Sequence, residues 1–339
     1  MKLGIFGLPG SGRTTVFEAL TRNISDTVNK SENRIGTIHV PDSRVDVLSR
    51  MYSPKKTIYA QVEYSLPAMQ AHEKKKEQNI WTQIRDCDAL IHLIRNFGLE
   101  KPTPYQDFMK MDQELVFADL IVTEKRLERI ELDKKRGKPV DNEELTLLIE
   151  CKKHLENETP LRRFPDIAKA PSLRGFAFVS AKPMLVLFNN ADEDENMPDA
   201  QNLASQESCM VIRGKLEREL AQMSEEEAKD FLTEFNISAS ATDRVIKGSY
   251  EILGLISFFT VGDDEVRAWT IRKNTQALDA AEVIHSDIKK GFIRAEVLAY
   301  NDLMAVGTYA EARKKGTVRL EGKTYIVQDG DILNFRFNV

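Results

Sequence analysis

The stretch Gly7-Leu8-Pro9-Gly10-Ser11-Gly12-Arg13-Thr14 fits the phosphate-binding pattern G-x-x-x-x-G-K-[ST] at every defined position except the lysine, which is replaced by Arg13. The apolar run 2–6 before it is typical of a buried strand, and the apolar residues of 14–20 after it have helical spacing. Because a strand, a glycine loop and a helix are the context that the pattern requires, the sequence predicts a phosphate site here. An ordinary glycine-rich turn between a strand and a helix is the alternative.

The chemistry of such a loop comes mainly from its backbone, because inward N–H groups and a helix N-terminus together attract an anion. In the usual loop a lysine reaches the β- and γ-phosphates and the next hydroxyl binds Mg²⁺; Arg13 and Thr14 occupy those two places. Arg13 keeps the positive charge but has a bulkier planar group, so we expect phosphate binding to survive better than phosphoryl transfer. Thr14 is the predicted metal ligand. The predicted phosphate ligands are Pro9, Gly10, Ser11, Gly12, Arg13, Thr14 and Thr15.

Length and composition limit the class of protein. The 339 residues are enough for two or three domains, and 42% hydrophobic with 30% charged residues is typical of a soluble globular chain. No apolar run has the length of a membrane span and no signal segment precedes the loop, so we expect a cytoplasmic protein. The formal net charge of −5 gives no overall attraction to nucleic acid, although it is compatible with local basic patches.

The cysteines and histidines do not have the spacing of disulfide or metal sites. Cys87, Cys151 and Cys209 are far apart and lack C-x-x-C spacing, which predicts reduced structural thiols. The histidines lack zinc-ligand spacing, so ordinary buried or exposed side chains are expected. The histidines in question are His39, His92, His154 and His285.

Strands alternate with helices through much of the chain, which predicts a parallel sheet with binding groups at the carboxyl ends of its strands. A short helix between the predicted strands 34–40 and 57–64 is predicted to begin near Asp42, whose carboxylate can cap it. Ser224 and Glu227 have capping-box spacing and open another predicted helix. The predicted strands after the glycine loop are 34–40, 57–64, 89–94, 184–188 and 208–212.

Two segments differ in composition from the rest. Segments 112–130 and 143–155 are highly charged with apolar residues at helical spacing, and they predict a long helical hairpin. Periodicity alone leaves a projecting hairpin and a pair of ordinary packing helices open; charge on both faces favours projection. The segment 262–339 is predicted to be a small α+β domain, with strands at 265–271, 317–320 and 324–327 and a helix at 278–284.

The C-terminal segment carries the most specific resemblance to a known family. Together with the Gly-Leu-Pro opening of the loop and the hairpin, it is similar to the YchF family, or Obg-like ATPases, in the Obg branch of the P-loop GTPases. The C-terminal part resembles that family's TGS domain. The residues that carry the resemblance there are Glu265-Val266-Arg267-Ala268-Trp269-Thr270, Ile284-His285-Ser286-Asp287, Lys290-Gly291-Phe292-Ile293-Arg294-Ala295-Glu296-Val297 and Tyr325-Ile326-Val327-Gln328-Asp329-Gly330-Asp331.

The resemblance implies an α/β fold: a P-loop NTPase G domain with an inserted α-helical hairpin and a C-terminal β-grasp, or ubiquitin-like, TGS domain. The implied division is 1–110 and 161–261 for the G domain, 111–160 for the hairpin and 262–339 for the TGS domain. The implied function is a nucleotide-dependent regulator that binds ATP or GTP with Mg²⁺ and associates with ribosomes or RNA in translation. Nothing in the sequence predicts the oligomeric state.

The chain departs from the family pattern where catalysis is concerned. The family's aspartate and glycine on the magnesium side belong after Tyr64, where this chain has Ser65-Leu66-Pro67-Ala68. The segment 23–38 is shorter than the family's first switch, and Arg13 replaces the loop lysine. Because these parts serve phosphoryl transfer, we expect weak or absent hydrolysis and assign no catalytic residue. The run Lys74-Lys75-Lys76, in place of the family's second switch, is either a solvated turn or a contact for RNA phosphates.

The base-reading segment has also changed. GTPases generally have Asn-Lys-x-Asp and YchF proteins resemble Asn-x-x-Glu, whereas this chain has Asn189-Asn190-Ala191-Asp192 directly after a predicted strand. We predict that Asn189, Asn190 and Asp192 read the base and that Arg213 and Gly214 cover it. A solvated acidic loop at 192–195 is the alternative. At the level of the whole protein, the alternative is a degenerate interaction protein that binds no nucleotide and uses the hairpin and TGS surfaces.

Overall fold

A computed structural model describes residues 1–23, 33–68, 77–98, 101–234 and 240–338 of the chain. The strands in this part of the chain are β1 (Lys2–Phe6), β2 (Arg34–His39), β3 (Lys56–Ile58), β4 (Gln61–Leu66), β5 (Ala89–Asn96), β6 (Met184–Asn190), β7 (Ser208–Ile212), β8 (Leu255–Val261), β9 (Glu265–Arg272), β10 (Phe292–Ala299), β11 (Arg319–Glu321) and β12 (Asp331–Phe337).

The α-helices of the same described residues occur singly or in groups between these strands. They are α1 (Arg13–Thr21), α2 (Ser43–Tyr52), α3 (Glu77–Arg85), α4 (Pro104–Lys135), α5 (Asn142–Glu156), α6 (Pro165–Ala168), α7 (Leu203–Gln206), α8 (Gly214–Leu220), α9 (Glu225–Glu234), α10 (Ala241–Ile252), α11 (Ala277–Ile284), α12 (Ser286–Lys290), α13 (Tyr300–Val306) and α14 (Tyr309–Lys314).

The chain forms two compact units. The first is drawn from Met1–Ile38 and Glu63–Val245, and the second from His39–Val62 and Ile246–Val339. The four-part division implied by the resemblance stays a prediction. The second sheet includes β8, which precedes the predicted boundary at 262, and β3, which lies early in the chain.

The first unit is built on a six-stranded sheet in the order β2-β4-β1-β5-β6-β7. Strand β1 pairs in parallel with β4 and β5, and β6 pairs in parallel with β5 and β7. Every residue of β6 is buried, as expected for a central parallel strand covered on both faces. The glycine loop follows β1, and Asn189 and Asn190 end β6, so both predicted binding segments lie at carboxyl ends of strands of this sheet.

His92 is a histidine buried in the core of the first unit. Its ring is stacked between Phe6 at 4.6 Å and Phe108 at 5.4 Å, and it is 1% exposed. Burial, aided by the charge of Arg162, lowers the pKa of His92 to about 3. The ring is therefore neutral at physiological pH, which agrees with the expectation of a structural histidine.

The predicted helical hairpin is present as α4 and α5. Arg126 on α4 makes a two-pronged ion pair with Glu144 on α5, at 2.7 and 2.8 Å. Apolar residues of both helices form one cluster with residues of the following segment, including Leu161 and Phe178. Asp119 on α4 accepts the N–H groups of Val179 and Ser180. One side of the hairpin thus packs against 161–178, and the charged side chains of Asp112 and Asp119 are buried on α4.

The second unit contains a mixed six-stranded sheet in the order β11-β10-β12-β8-β9-β3. Strands β8 and β9 are antiparallel, β10 pairs antiparallel with β11 and β12, and β12 is parallel to β8. Three alanines of α11 are fully buried against this sheet, in a cluster that includes Phe258 and Val297. Arg44 on α2 binds Asp329 at 2.8 Å, and Asp329 also accepts the N–H of Ser257 at 2.9 Å.

Most predicted elements are confirmed, including the helix capped by Asp42 and the capping box of Ser224 and Glu227. Two strand predictions were wrong. The single strand 57–64 is two strands, because β3 pairs with β9 while β4 pairs with β1. The segment 324–327 forms only an isolated bridge between Ile326 and Gln276, because its backbone groups bind the turn before α11 instead of a strand.

Candidate nucleotide-binding site

The glycine loop leads directly into helix α1. Gly12 is the N-cap residue, with φ of 91°, and its carbonyl accepts the N–H of Val16 at 2.9 Å. Neither a side-chain cap nor an acidic residue occurs in the first turn of α1. The free N–H groups at this end of the helix are therefore open to an external acceptor, which is the arrangement that favours anion binding.

The glycine at position 12 is required by a close neighbour as well as by its backbone angle. A Cβ atom there would lie 2.3 Å from Nδ2 of Asn189. At Gly7 a Cβ atom would lie 2.2 Å from the carbonyl oxygen of Leu93. Side chains at these two positions would push the loop away from β6 and β5, so the glycines allow the loop to lie directly against the strand ends.

Arg13 is a cation in an unfavourable place. It is partly buried at the first turn of α1, and among the described residues its side chain has neither an ion pair nor a hydrogen bond. Burial lowers the pKa of its guanidinium. A positive charge at a helix N-terminus is also opposed by the helix dipole. Both effects are relieved when an anion binds at the same place.

Thr14 and Thr15 follow Arg13 in the first turn. Thr14 is exposed and Thr15 is partly exposed, so the hydroxyl of Thr14 is available to a ligand from solvent. Ser11 is the opposite case, because it is 1% exposed and its hydroxyl has no hydrogen-bond partner in the described structure. Pro9 and Gly10 are exposed at the tip of the loop.

Asn189 ties the loop to two other segments. Its Nδ2 donates to the carbonyl of Ser11 at 3.0 Å, and its Oδ1 accepts the N–H of Gly214 at 2.9 Å. The side chain is 4% exposed. A Cβ atom on Gly214 would lie 2.8 Å from this Oδ1. Asn189, predicted as a base reader, therefore joins the phosphate loop to the start of α8.

Asn190 is also engaged within the protein. Its Nδ2 donates to the carbonyls of Asp194 and Asn196, and its Oδ1 accepts from Asn96 at 2.8 Å. These bonds fold the acidic segment back onto the end of β5. The amide of Asn190 thus shapes the loop that carries Asp192.

Asp192 and Arg213 form a connected group at the same edge. One carboxylate oxygen of Asp192 accepts the N–H of Leu216 at 3.2 Å, and the other lies 3.4 Å from Nζ of Lys215. Arg213 donates to the carbonyl of Asp192 at 3.3 Å and binds Glu195 at 2.8 Å. The acidic segment is therefore anchored at Asp192, while the side chain of Lys215 is 75% exposed.

A cavity of about 550 Å³ lies between these segments. Of the predicted site residues, Gly12, Thr15, Asn189, Asn190 and Asp192 line it, and the other predicted residues do not. The volume falls in the range of small-molecule sites. Residues that line it without having been predicted are Phe97, Gly98, Ala191, Glu193, Lys215, Arg218, Glu219 and Gln222.

Two of the unpredicted residues have an explanation in the fold. Phe97 follows directly after β5, at the same sheet edge as Asn189. Ligands of open α/β sheets bind outside the carboxyl ends of the strands, and this rule alone indicates that position. Arg218 is held by Glu18 of α1 at 2.8 Å, and Glu18 is 3% exposed and also binds Arg34 at 3.1 Å. No local pattern marks a buried glutamate on α1 as the partner of an arginine on α8.

Ser65, at the position where the resemblance predicts the family's aspartate, has a buried side chain. Ser65 is 4% exposed and lies on β4, opposite Gly4 of β1. Within the described part of the chain, no group of three or more histidine, cysteine, aspartate or glutamate side chains is arranged to hold a metal. The run Lys74-Lys75-Lys76 and residues 24–32 of the shortened segment lie outside the described residues.

The sheet order, with a glycine loop between its central strand and first helix, defines a P-loop nucleotide-binding fold of the GTPase type. A solved YchF GTPase from Schizosaccharomyces pombe superposes with a TM-score of 0.83 at 26% identity, covering 99% of this chain and 97% of that one. A GTP-binding protein from Pyrococcus horikoshii has a TM-score of 0.60 at 18% identity over the full length of both chains and shows the fold alone.

Sequence comparison gives the family. A family model named YchF-GTPase_C and described as a protein of unknown function (DUF933) matches residues 255–338. The ribosome-binding ATPase YchF of Bacillus subtilis is 35% identical, covering 99% of each chain, and that of Escherichia coli O157:H7 is 33% identical, covering 100% and 99%. The chain belongs to the YchF family. As the resemblance implied, its fold is a P-loop G domain with a helical hairpin and a C-terminal β-grasp domain.

Among the described residues, no helix is both long and apolar enough to cross a membrane.

Proposed function

We propose that this protein is a purine-nucleotide-binding regulator that associates with ribosomes and hydrolyses its nucleotide weakly or not at all. One observation carries the nucleotide part: the unpaired guanidinium of Arg13 lies at the uncapped N-terminus of α1, in a loop tied by Asn189 to the cavity beside it. A polyphosphate satisfies the cation and the helix N–H groups together.

The residues present fit such a ligand. The backbone of 9–15 and the fork of Arg13 would hold phosphate oxygens, since a guanidinium can donate to two oxygens at once. The cavity lined by Asn189, Asp192 and Phe97 would take the base. Thr14 would supply one hydroxyl ligand to Mg²⁺, and phosphate oxygens and water would supply the other ligands.

Weak hydrolysis follows from what the chain offers near the γ-phosphate position. Ser65 replaces the aspartate of the family pattern, and its hydroxyl is buried on β4 and carries no charge. Arg13 also spreads its charge over a planar group, whereas the usual lysine concentrates it. Binding and switching are compatible with these changes, because neither requires that an attacking water be positioned.

Ribosome association is proposed from the relatives. Proteins that match this chain over nearly its full length at 33–36% identity are called ribosome-binding ATPases. The same names favour ATP, whereas the aspartate at 192 resembles the guanine reader of GTPases. The proposed ligand is therefore ATP or GTP, and a binding measurement with both nucleotides distinguishes them.

The first test is isothermal titration of the purified, nucleotide-stripped protein with non-hydrolysable ATP and GTP analogues, with and without Mg²⁺. Micromolar binding of one purine is expected. Absence of binding to both would overturn the proposal and favour an interaction protein that binds no nucleotide. The replacements at Arg13 and Ser65 favour that alternative. Sedimentation with purified ribosomes in each nucleotide state tests the second part, and a single-turnover assay with metal-dependent cleavage above background would contradict weak hydrolysis.

A further inference from the structure

Three arginines and one buried glutamate share a face of the second sheet. Arg294 and Glu296 lie two residues apart on β10, so their side chains are on the same face. Arg336 on β12 is directly opposite Arg294 in the register of the two strands. Arg313 reaches the same place from α14. We call Arg294, Arg313 and Arg336 the arginine face.

Glu296 orients two of the three arginines. Its side chain is 4% exposed; one carboxylate oxygen binds Arg336, and the other binds Arg313 at 2.9 Å. Burial alone would raise the pKa of Glu296, but the two arginines outweigh it and hold the pKa below its ordinary value. The carboxylate of Glu296 is thus buried beneath the two arginines, while the side chains of Arg313 and Arg336 remain 55% and 57% exposed.

Arg294 has no such partner. It is exposed, and among the described residues its side chain makes neither an ion pair nor a hydrogen bond. Like charges directly opposite each other on neighbouring strands are destabilising. The arginine face therefore keeps a net positive charge that costs stability, with one guanidinium free and two held outward.

The surroundings add to the positive charge. Lys314 and Lys315 are exposed beside Arg313 at the end of α14; of these two lysines, only Lys314 has an acidic partner in the described structure, Glu311 at 2.6 Å. On the other side, Leu320 of β11 lies opposite Glu296 and is 53% exposed. A partner of complementary charge is a polyanion, and planar guanidinium groups match the oxygens of phosphate in particular.

We infer that the arginine face binds the phosphate backbone of RNA. An RNA backbone suits it better than an acidic protein segment, because its phosphates are regularly repeated and several guanidinium groups can bind it without base recognition. The inference rests on the proposed ribosome association, for which the arginine face would be one RNA contact. It is separate from the nucleotide site, which lies in the first unit.

Fluorescence anisotropy of a labelled RNA stem-loop with the full-length protein tests the inference over a range of salt concentrations. Arg294→Gln should lower affinity severalfold and reduce the salt slope by about one, as expected for one phosphate contact. Arg294→Gln with Arg336→Gln should lower both further. Lys273→Gln is the control, because Lys273 is an exposed cation after β9, with two strands between β9 and β10.

The variants also separate the possible outcomes. Arg294→Gln removes no ion pair or side-chain hydrogen bond within the described part of the chain, so its thermal unfolding should match that of the wild type or improve slightly. A loss of RNA binding can then not be ascribed to unfolding. Unchanged RNA affinity in both arginine variants would overturn the inference. If the variants sediment less with ribosomes but bind RNA normally, an acidic protein is the partner and the RNA inference is wrong. If the wild type does not sediment with ribosomes at all, the proposed function fails instead.

Discussion

The two halves of the candidate nucleotide site differ in how far their polar groups are satisfied within the protein. On the base side, Asn189 and Asn190 are buried and use both ends of their amides on neighbouring segments. On the phosphate side, Arg13 and Thr14 have no partner among the described residues, and the helix N-terminus has no cap. The base side is thus a preformed support, whereas the phosphate side is left unsatisfied for a ligand. Substitutions on the two sides should therefore have different consequences.

Gly12→Ala, which breaks the link between the two sides, should have the largest effect. The new Cβ would displace Asn189, and alanine at φ of 91° adds a strain of about 1–2 kcal/mol. We expect a loss of about 3 kcal/mol or more in the free energy of unfolding, measured by urea denaturation, together with loss of nucleotide binding. Gly137→Ala is the control, since its φ is 72° and nothing lies within 4 Å of the added atom. Equal losses in both variants would show that backbone strain alone is responsible.

Asn189→Ala tests the base side directly. It leaves the buried carbonyl of Ser11 and N–H of Gly214 without their partner, so unfolding should become easier by about 2–4 kcal/mol. Nucleotide affinity should fall as well, because the loop loses its support. Asn196→Ala removes an exposed amide from the same loop and should change stability little. A stable Asn189→Ala protein with normal affinity would contradict the idea of a preformed support.

Arg13→Gln should show the reverse pattern on the phosphate side. It removes a cation that has no partner among the described residues, so stability should be unchanged or slightly higher. Nucleotide affinity should fall by about 10–100-fold, as for the loss of charge-assisted hydrogen bonds. Arg22→Gln, at the other end of α1, provides a control of equal charge. A drop in stability without a drop in affinity would show that Arg13 is a structural residue. It would contradict the proposed difference between the phosphate side and the base side.

Asp192→Asn should have a smaller effect. The amide oxygen can still accept the N–H of Leu216, so stability should change by less than about 0.5 kcal/mol. If Asp192 reads guanine, the ratio of GTP to ATP affinity should fall severalfold in titration calorimetry. An unchanged ratio would show that Asp192 only anchors its loop.

Arg13→Lys should have no effect on turnover. It restores the usual loop residue but leaves Ser65 at the position where the resemblance predicts an aspartate, so multiple-turnover hydrolysis should stay at background. Measurable turnover in this variant would show that Arg13 alone limits catalysis.

The sequence reveals the glycine loop more directly than the contacts that support it, for a physical reason. The loop 7–14 is a local pattern, and its strand and helix adjoin it in the chain. The second role of Asn189 depends on Ser11, 178 residues earlier, and on a backbone N–H, which no residue pattern reveals. The pairing of Glu18 with Arg218 is equally distant in the chain. Segment 57–64 has the apolar pattern of one strand, and only the three-dimensional arrangement shows that it leaves one sheet and enters the other.

The second unit also has a consequence for inheritance. Its strand β3 and helix α2 come from 39–62, and Arg44 from that piece holds Asp329 near the other end of the chain. A gene fragment that encodes only 262–339 lacks this piece and β8, so it does not carry the complete unit. A contiguous gene fragment that encodes the whole second unit must therefore also encode 63–245, which belong to the first unit.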